Sequence, residues 1–279
     1  MNNPAPTDGR LAQIAARSRR QIVQIGHGAG AFGAHFGPSL SLVDILTVLY
    51  GTRVRHDSSM CSDPERDRVI LSKGHGSLAL YAVLHEFGFI SDECLASAET
   101  DGTVLPGQPC RNQELGIEFS SGSLGMGLSF GVGLALSARM MGSDRSIFVI
   151  MGDGETNEGS VWEAAMSAAH FRLARLIAIV DVNGLQSDGT TAEIMSCRLR
   201  EMWEANGWET IEVDGHSIPG LRAALSPATG SRPRCILAST VKGKGVSFME
   251  GAAEWHHGRM TESQFETAVH DVGRGEQTA

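Results

Sequence analysis

No apolar run in the sequence approaches the roughly 20 residues that a membrane-spanning helix needs. The opening Met1-Asn-Asn-Pro-Ala-Pro-Thr7 has neither the basic nor the apolar stretch of a secretory signal. A cytoplasmic protein without a membrane partner is therefore expected. Basic clusters are also missing: 23 Lys and Arg face 32 Asp and Glu, a formal charge of -9, which leaves no nucleic-acid footprint. An anionic ligand would then need a metal ion and backbone N–H donors beside it. The five cysteines, Cys61, Cys94, Cys110, Cys197 and Cys235, are odd in number and contain no Cys-x-x-Cys, which argues against a disulfide framework and a zinc site. Repeats and dividing linkers are absent as well. Residues 1–279 read as one domain with loose tails near 1–7 and 273–279, long enough to bury about three quarters of the unfolded surface.

What the chain does have centres on Ser146-Ile-Phe-Val-Ile-Met-Gly-Asp-Gly-Glu-Thr-Asn-Glu-Gly-Ser160 and on Leu176-Ile-Ala-Ile-Val-Asp-Val-Asn-Gly-Leu185. Each starts as an Ile- and Val-rich run, the mark of a buried parallel strand, and ends in glycine and polar residues. Between them Val161, Ala164, Ala165, Ala168 and Ala169 fall at helical spacing. A right-handed strand–helix–strand unit puts both strand ends on one sheet edge, so Asp153 and Asn183 become neighbours. A carboxylate and a carboxamide are hard oxygen ligands, suited to Mg2+ at about 2.0 to 2.1 Å. Gly152 and Gly154 let the backbone approach phosphate oxygens, and the helix that follows adds a favourable dipole. Alone, Gly-Asp-Gly is more often a turn.

The rest of the chain repeats this pattern. A helix from Asp8 to Gly28 precedes a glycine-bearing loop with His35, and a second helix carries Leu42, Ile45, Leu46 and Leu49 on one face. Val69 to Leu71 read as a strand ending in Gly74-His75-Gly76, where glycines weaken the element and packing does not account for the histidine. A helix over 77–87, an aperiodic loop over 101–112 and a glycine-rich helix from Gly125 to Met141 follow. Each interior glycine there costs about 1 kcal/mol relative to Ala, so another backbone or a flat ligand must approach closely. Past Asn183 the pattern predicts a helix over 194–206, a strand over 209–213, a helix over 217–225, a strand over 235–241 and a loop over 242–258. Thr261 and Gln264 cap a last helix. A loop histidine is usually just solvated, but His35, His75 and His256 or His257 all lie in loops or at strand ends, as one site on one edge would require. The expected fold class is α/β: a doubly wound, mostly parallel sheet with helices on both faces.

Gly152-Asp-Gly, spaced from Asn183-Gly, resembles the metal signature of thiamine diphosphate enzymes. Ala34-His-Phe-Gly-Pro-Ser-Leu40, Leu71-Ser-Lys-Gly-His-Gly76, Gly122-Ser-Leu-Gly-Met-Gly127, and Lys242-Gly-Lys-Gly-Val-Ser-Phe-Met-Glu250 before Trp255-His256 occur in the order found in transketolases. Over about residues 9–260 the chain is similar to the amino-terminal, diphosphate-binding half of that family, in the form split into two polypeptides. The resemblance implies Mg2+ ligands at Asp153, Asn183 and the carbonyl of Leu185. It implies cofactor contacts at His75, Gly122, Ser123, Leu124, Gly152, Asp153, Gly154, Glu155, Asn183, Leu185 and Lys244. His35, His75 and Gln108 would face the donor sugar, and His256, or His257 in a shifted register, would act near the thiazolium. Glu158 would belong to the link between the two sites of the assembly.

The implied reaction is cleavage of a ketose donor beside its carbonyl and transfer of the two-carbon fragment to an aldehyde acceptor. In the family an activating Glu comes from a pyrimidine-binding domain, and no motif here supplies it. The segment after Val241 is too short for a second domain, so a carboxy-terminal transketolase subunit is the expected partner, in a heterotetramer. The sequence departs from the family at Gln108, where a substrate-facing histidine is usual, and at Met126, Phe36 and Pro38. Two other readings share part of this pattern. The alpha subunit of a 2-oxoacid dehydrogenase has the metal signature but lacks the Lys-Gly-His and Lys-Gly-Lys-Gly runs, and a non-catalytic cofactor scaffold would have no need of His35, His75 and His256.

Overall fold

The computed structural model describes residues 6–55, 59, 61–187, 189–227 and 230–278. The chain begins with α1 (Asp8–Gly28), α2 (Phe36–Leu40) and α3 (Val43–Thr52), then β1 (Arg68–Leu71), α4 (Ser77–Glu86), α5 (Asp92–Ala96) and α6 (Met126–Met140). The central unit is β2 (Ile147–Gly152), α7 (Gly159–His170) and β3 (Leu176–Val182). It continues with α8 (Thr191–Met195), α9 (Leu199–Ala205), β4 (Glu209–Asp214), α10 (Ile218–Ala224), β5 (Arg234–Ser239) and α11 (Glu262–Thr278).

The five strands form one parallel sheet in the order β1-β2-β3-β5-β4. Pairing of Gly152 with Asp181, and of Val182 with Ser239, sets the ends of β2, β3 and β5 side by side. Alternation along the strands divides the core in two. Phe148, Ile150, Ile177, Ile179 and Ile236 pack under a layer built from α1, α3, α4, α10 and α11. Ile147, Val149, Met151, Ala178, Val180 and Leu237 pack under α6, α7 and the Trp203–Trp208 pair. Covered on both faces, β2 and β3 are almost uninterruptedly apolar, whereas the edge strand β4 alternates polar and apolar residues. From β1 to β4 the chain moves one way across the sheet, then steps back to β5, and α10 accordingly lies on the opposite face from α7, as right-handed crossovers require. The doubly wound α/β fold expected from the sequence is the one observed. Among the described residues no helix is long and apolar enough to cross a membrane.

Three local expectations need correction. The helix expected over 194–206 is two helices, because Thr190 and Glu193 form a capping box that starts α8 early, and Ser196 then turns extended before α9. The tail expected from 273 is helical through Thr278: Phe265, Ala268, Val269 and Val272 pack on the core beside α1, and this anchored face outweighs the low propensity of Gly273 and Gly275. In the tail expected over 1–7, Thr7 caps α1, accepting a hydrogen bond from the Arg10 N–H at 3.2 Å, so residues 6 and 7 are tied down while 1–5 lie outside the described residues.

Candidate active site

The carboxyl ends of β1, β2, β3 and β5 converge on a cleft of about 230 Å3, lined among others by Lys73, His75, Leu124, Asp153, Asn183, Leu185, Lys242 and His256. At the end of β2 the Asp153 carboxylate accepts from the N–H of Gly154 at 2.9 Å and from that of Gly184 at 2.7 Å, which locks it to the loop carrying Asn183 and Leu185. Burial, and then the neighbouring Asp181 carboxylate, push Asp153 up to about 6. Asn183 donates its amide to Asp181 Oδ2 at 3.1 Å and accepts from the Leu185 N–H at 3.1 Å. The structure thus brings Asp153, Asn183 and Leu185 together. They present a carboxylate, a carboxamide oxygen and a backbone carbonyl, a donor set of hard oxygens that fits Mg2+ and would offset the two buried carboxylates.

Asp181 itself is fully buried, and no sequence motif pointed to it. Burial alone would raise it, yet the Lys73 ammonium at 2.5 Å, with the Thr240 and Ser41 hydroxyls, holds its carboxyl below the usual range. The pair thus sits beneath Asn183 and fixes its rotamer. A charge inside an otherwise apolar strand was the available signal for Asp181.

Four histidines gather above this floor. The ring of His35 lies 6.0 Å from His75, 5.7 Å from His256 and 4.5 Å from His257, and His75 lies 5.1 Å from His256. The loops that bring them together are stitched by reciprocal bonds between Ala34 and Gly258 at 2.8 and 3.0 Å. Gly33, at φ +69°, permits this, because a Cβ there would meet the Gly258 carbonyl oxygen at 2.5 Å. Burial, then His257, lowers His35 to about 4; burial, then Lys242, lowers His256 to about 4. Burial, then Lys73, lowers His75 to about 2. Held neutral at neutral pH, each ring keeps one nitrogen as a hydrogen-bond donor and the other as an acceptor. Of the adjacent pair, His256 lines the cleft together with His75, while His257 packs on His35.

The remaining expected residues divide. Gly152 and Gly154 form the cleft wall, and Leu124 is inside it, while Gly122 and Ser123 are exposed at its rim. Glu158 is exposed at the mouth beside Gly125. Glu155 lines the cleft, but its carboxylate is taken up by the Ser72 hydroxyl and the Gly125 and Gly152 N–H groups, so it shapes the turn rather than offering a ligand. Lys244, expected at the cofactor, is elsewhere: it pairs with Glu250 at 3.3 Å on the outside. From the same loop it is Lys242 that reaches the cleft, almost fully buried, 3.0 Å from His256 Nδ1 and 3.3 Å from the Gln186 carbonyl. Two glycines at alternate positions made the register ambiguous from sequence.

Gln108 lies against the His75 turn, since a Cβ on Gly74 would come 2.2 Å from its Oε1 and 2.6 Å from Ser121 Oγ. Gln108 Oε1, Ser121 Oγ and Gln186 Nε2 are buried without a hydrogen-bond partner. Of these, Gln186 lines the cleft, whereas Gln108 and Ser121 lie behind the His75 turn.

A parallel doubly wound sheet whose carboxyl edge joins a metal-type oxygen set to a ring of neutral histidines defines a cofactor-dependent α/β enzyme architecture. The family model described as "Transketolase, thiamine diphosphate binding domain" matches residues 18–277, and the chain belongs to that family. It is 41% identical over 259 residues to one of the subunits of apulose-4-phosphate transketolase from Phocaeicola vulgatus, covering 92% of this chain and 91% of that one. It is also 41% identical over 241 residues to a 6-deoxy-6-sulfo-D-fructose transketolase subunit of a Clostridium species, covering 85% and 88%. Among solved structures, transketolase from Leishmania mexicana superposes with a TM-score of 0.88 at 29% identity, covering 98% of this chain and 42% of that one. The chain thus spans less than half the length of the solved transketolase chain.

Proposed function

We propose that this chain is the diphosphate-binding subunit of a two-polypeptide transketolase, which moves a two-carbon ketol unit from a ketose donor to an aldehyde acceptor. The observation that carries this reading is the convergence of Asp153, Asn183, His35, His75 and His256 on one sheet edge, in a chain of the same extent as relatives named as transketolase subunits. A separate carboxy-terminal subunit would contribute the pyrimidine-binding domain and its activating Glu, in a cytoplasmic heterotetramer.

Asp153, Asn183 and the Leu185 carbonyl would hold Mg2+, and Gly152, with space above its Cα, would face the diphosphate. Thiamine diphosphate, when bound, supplies the carbanion chemistry that the side chains of this chain lack. The residues of this chain then orient the donor and move its protons. His35 and His75 accept hydroxyl protons, whereas Lys242 donates a hydrogen bond to His256 Nδ1, which places the His256 ring proton on Nε2 and makes that nitrogen a donor to a substrate oxygen. Burial, then Lys73, lowers Lys242 to about 8, close enough to neutrality for it to serve as a proton reservoir. Gln108 would position donor hydroxyls without carrying a proton. The two relatives above act, by their names, on a sugar phosphate and a sulfo-sugar, and an anion-bearing ketose is the donor class proposed here.

The metal assignment is tested by melting. Thiamine diphosphate and Mg2+ at about 100 times the dissociation constant should stabilise the assembly by about 2.7 kcal/mol, a shift of several degrees in Tm. Asp153→Ala should abolish the shift, and an unchanged shift would remove Asp153 from the site.

A further inference from the structure

Lys242 enters the cleft from a loop whose anchors lie outside it. On the far side of that loop, Asp44 of α3 is buried, bound by Arg19 Nη1 at 3.1 Å and Nη2 at 2.5 Å and by His216 Nδ1 at 2.7 Å. His216 follows β4, and its Nε2 lies 2.9 Å from the Val241 nitrogen. A peptide N–H only donates, so Nε2 carries the lone pair and the ring proton is on Nδ1, donated to Asp44. Arg19 also donates from Nε to the Lys244 carbonyl at 3.3 Å. One carboxylate therefore grips the backbone on both sides of Lys242, through His216 at Val241 and through Arg19 at Lys244. Between the two, the Gly243 N–H donates to the Gly37 carbonyl at 3.0 Å and ties the loop to the His35 segment.

We propose that Asp44 and His216 are positioning residues, which act on the site only by holding the 241–244 backbone so that the Lys242 ammonium is aimed at His256 and the Gln186 carbonyl. Neither touches the cleft. A long, flexible lysine gains its direction from the first turn of its loop, and small displacements of such a group are costly in a site built on fixed geometry. The consequence for turnover rests on the ketol-transfer reading above; the anchoring itself does not.

Two half-replacements of the ring separate anchoring from packing. His216→Asn keeps a donor near Asp44 but leaves the Val241 N–H without an acceptor, whereas His216→Gln places a carboxamide oxygen where Nε2 was. Hydrogen–deuterium exchange on the full chain should show the Val241 amide opening about tenfold faster in His216→Asn, the value of one net hydrogen bond, and near the wild-type rate in His216→Gln. Asp44→Asn, which keeps the volume, should speed exchange at the same amide and serves if a ring variant fails to fold. In the assembled enzyme kcat should fall roughly tenfold in His216→Asn with partial rescue in His216→Gln. Equal exchange and equal kcat in the Asn and Gln variants would reduce His216 to a packing residue and overturn the proposal. The expected exchange pattern with an inactive wild-type pair would uphold the anchoring and sink the ketol-transfer reading instead.

Discussion

Neutral, half-buried imidazoles make acid the natural enemy of this site. For His35 and His256 the folded state holds its proton less tightly than the unfolded chain, about 4 against 6.5. Between those values the unfolded state binds more protons, so stability falls as pH drops from about 6.5 toward 4 and is unaffected by these rings above 7. Discounted for partial exposure, each ring should cost roughly 1 kcal/mol at pH 5 relative to pH 7.5. Urea titrations of wild type and His35→Asn at the two pH values check this, and an identical loss in both would remove His35 from the account. Gln108 makes a separate expectation: Gln108→His should change preference among ketose donors while leaving thiamine diphosphate affinity within about twofold, because its Oε1 faces the His75 turn rather than Asp153. Equal changes for all donors, measured as kcat/KM, would contradict that role. Asp153, Asn183 and the histidines were legible because glycine beside a functional side chain at a strand end has no packing explanation. The Lys73–Asp181 pair was not, because a buried ion pair exists only once distant strands meet, and Lys242 was missed because the alternating glycines left its register against Lys244 open.

At the level of elements, α6 shows what its glycines are for. A Cβ on Gly127 would meet Ser72 Cβ at 2.4 Å, and one on Gly131 would meet Val149 Cγ2 at 2.7 Å, so the close approach is to this chain's own sheet. The flat ligand that the sequence left open is not needed at these two positions. Gly133 has nothing within 4 Å. Gly131→Ala should therefore destabilise by about 1–3 kcal/mol through overpacking, whereas Gly133→Ala should stabilise the isolated chain by about 0.5–1 kcal/mol. Thermal or urea unfolding of the two variants decides it, and the same sign for both would refute the assignment of faces. Strand identities, the parallel sheet and most helices followed from periodicity. The split between α8 and α9 and the persistence of α11 past Gly273 did not, since a local cap decided the first and packing on α1 the second.

The whole molecule is half of a proposed machine. Met126, Phe130 and Met140 of α6 are 46%, 37% and 85% exposed, and Glu158 and the Gly122–Leu124 rim border the same mouth of the cleft. An apolar helix face beside an incomplete site fits a partner that covers it and completes the cofactor site. The central claim is that this chain binds and orients the cofactor but does not turn over substrate by itself. Ketose cleavage should be measured with Mg2+ and thiamine diphosphate on the purified chain alone, then with the proposed carboxy-terminal subunit titrated in. The account predicts no turnover alone and activity that rises to saturation at one partner per chain; full turnover by the purified chain without a partner would contradict it.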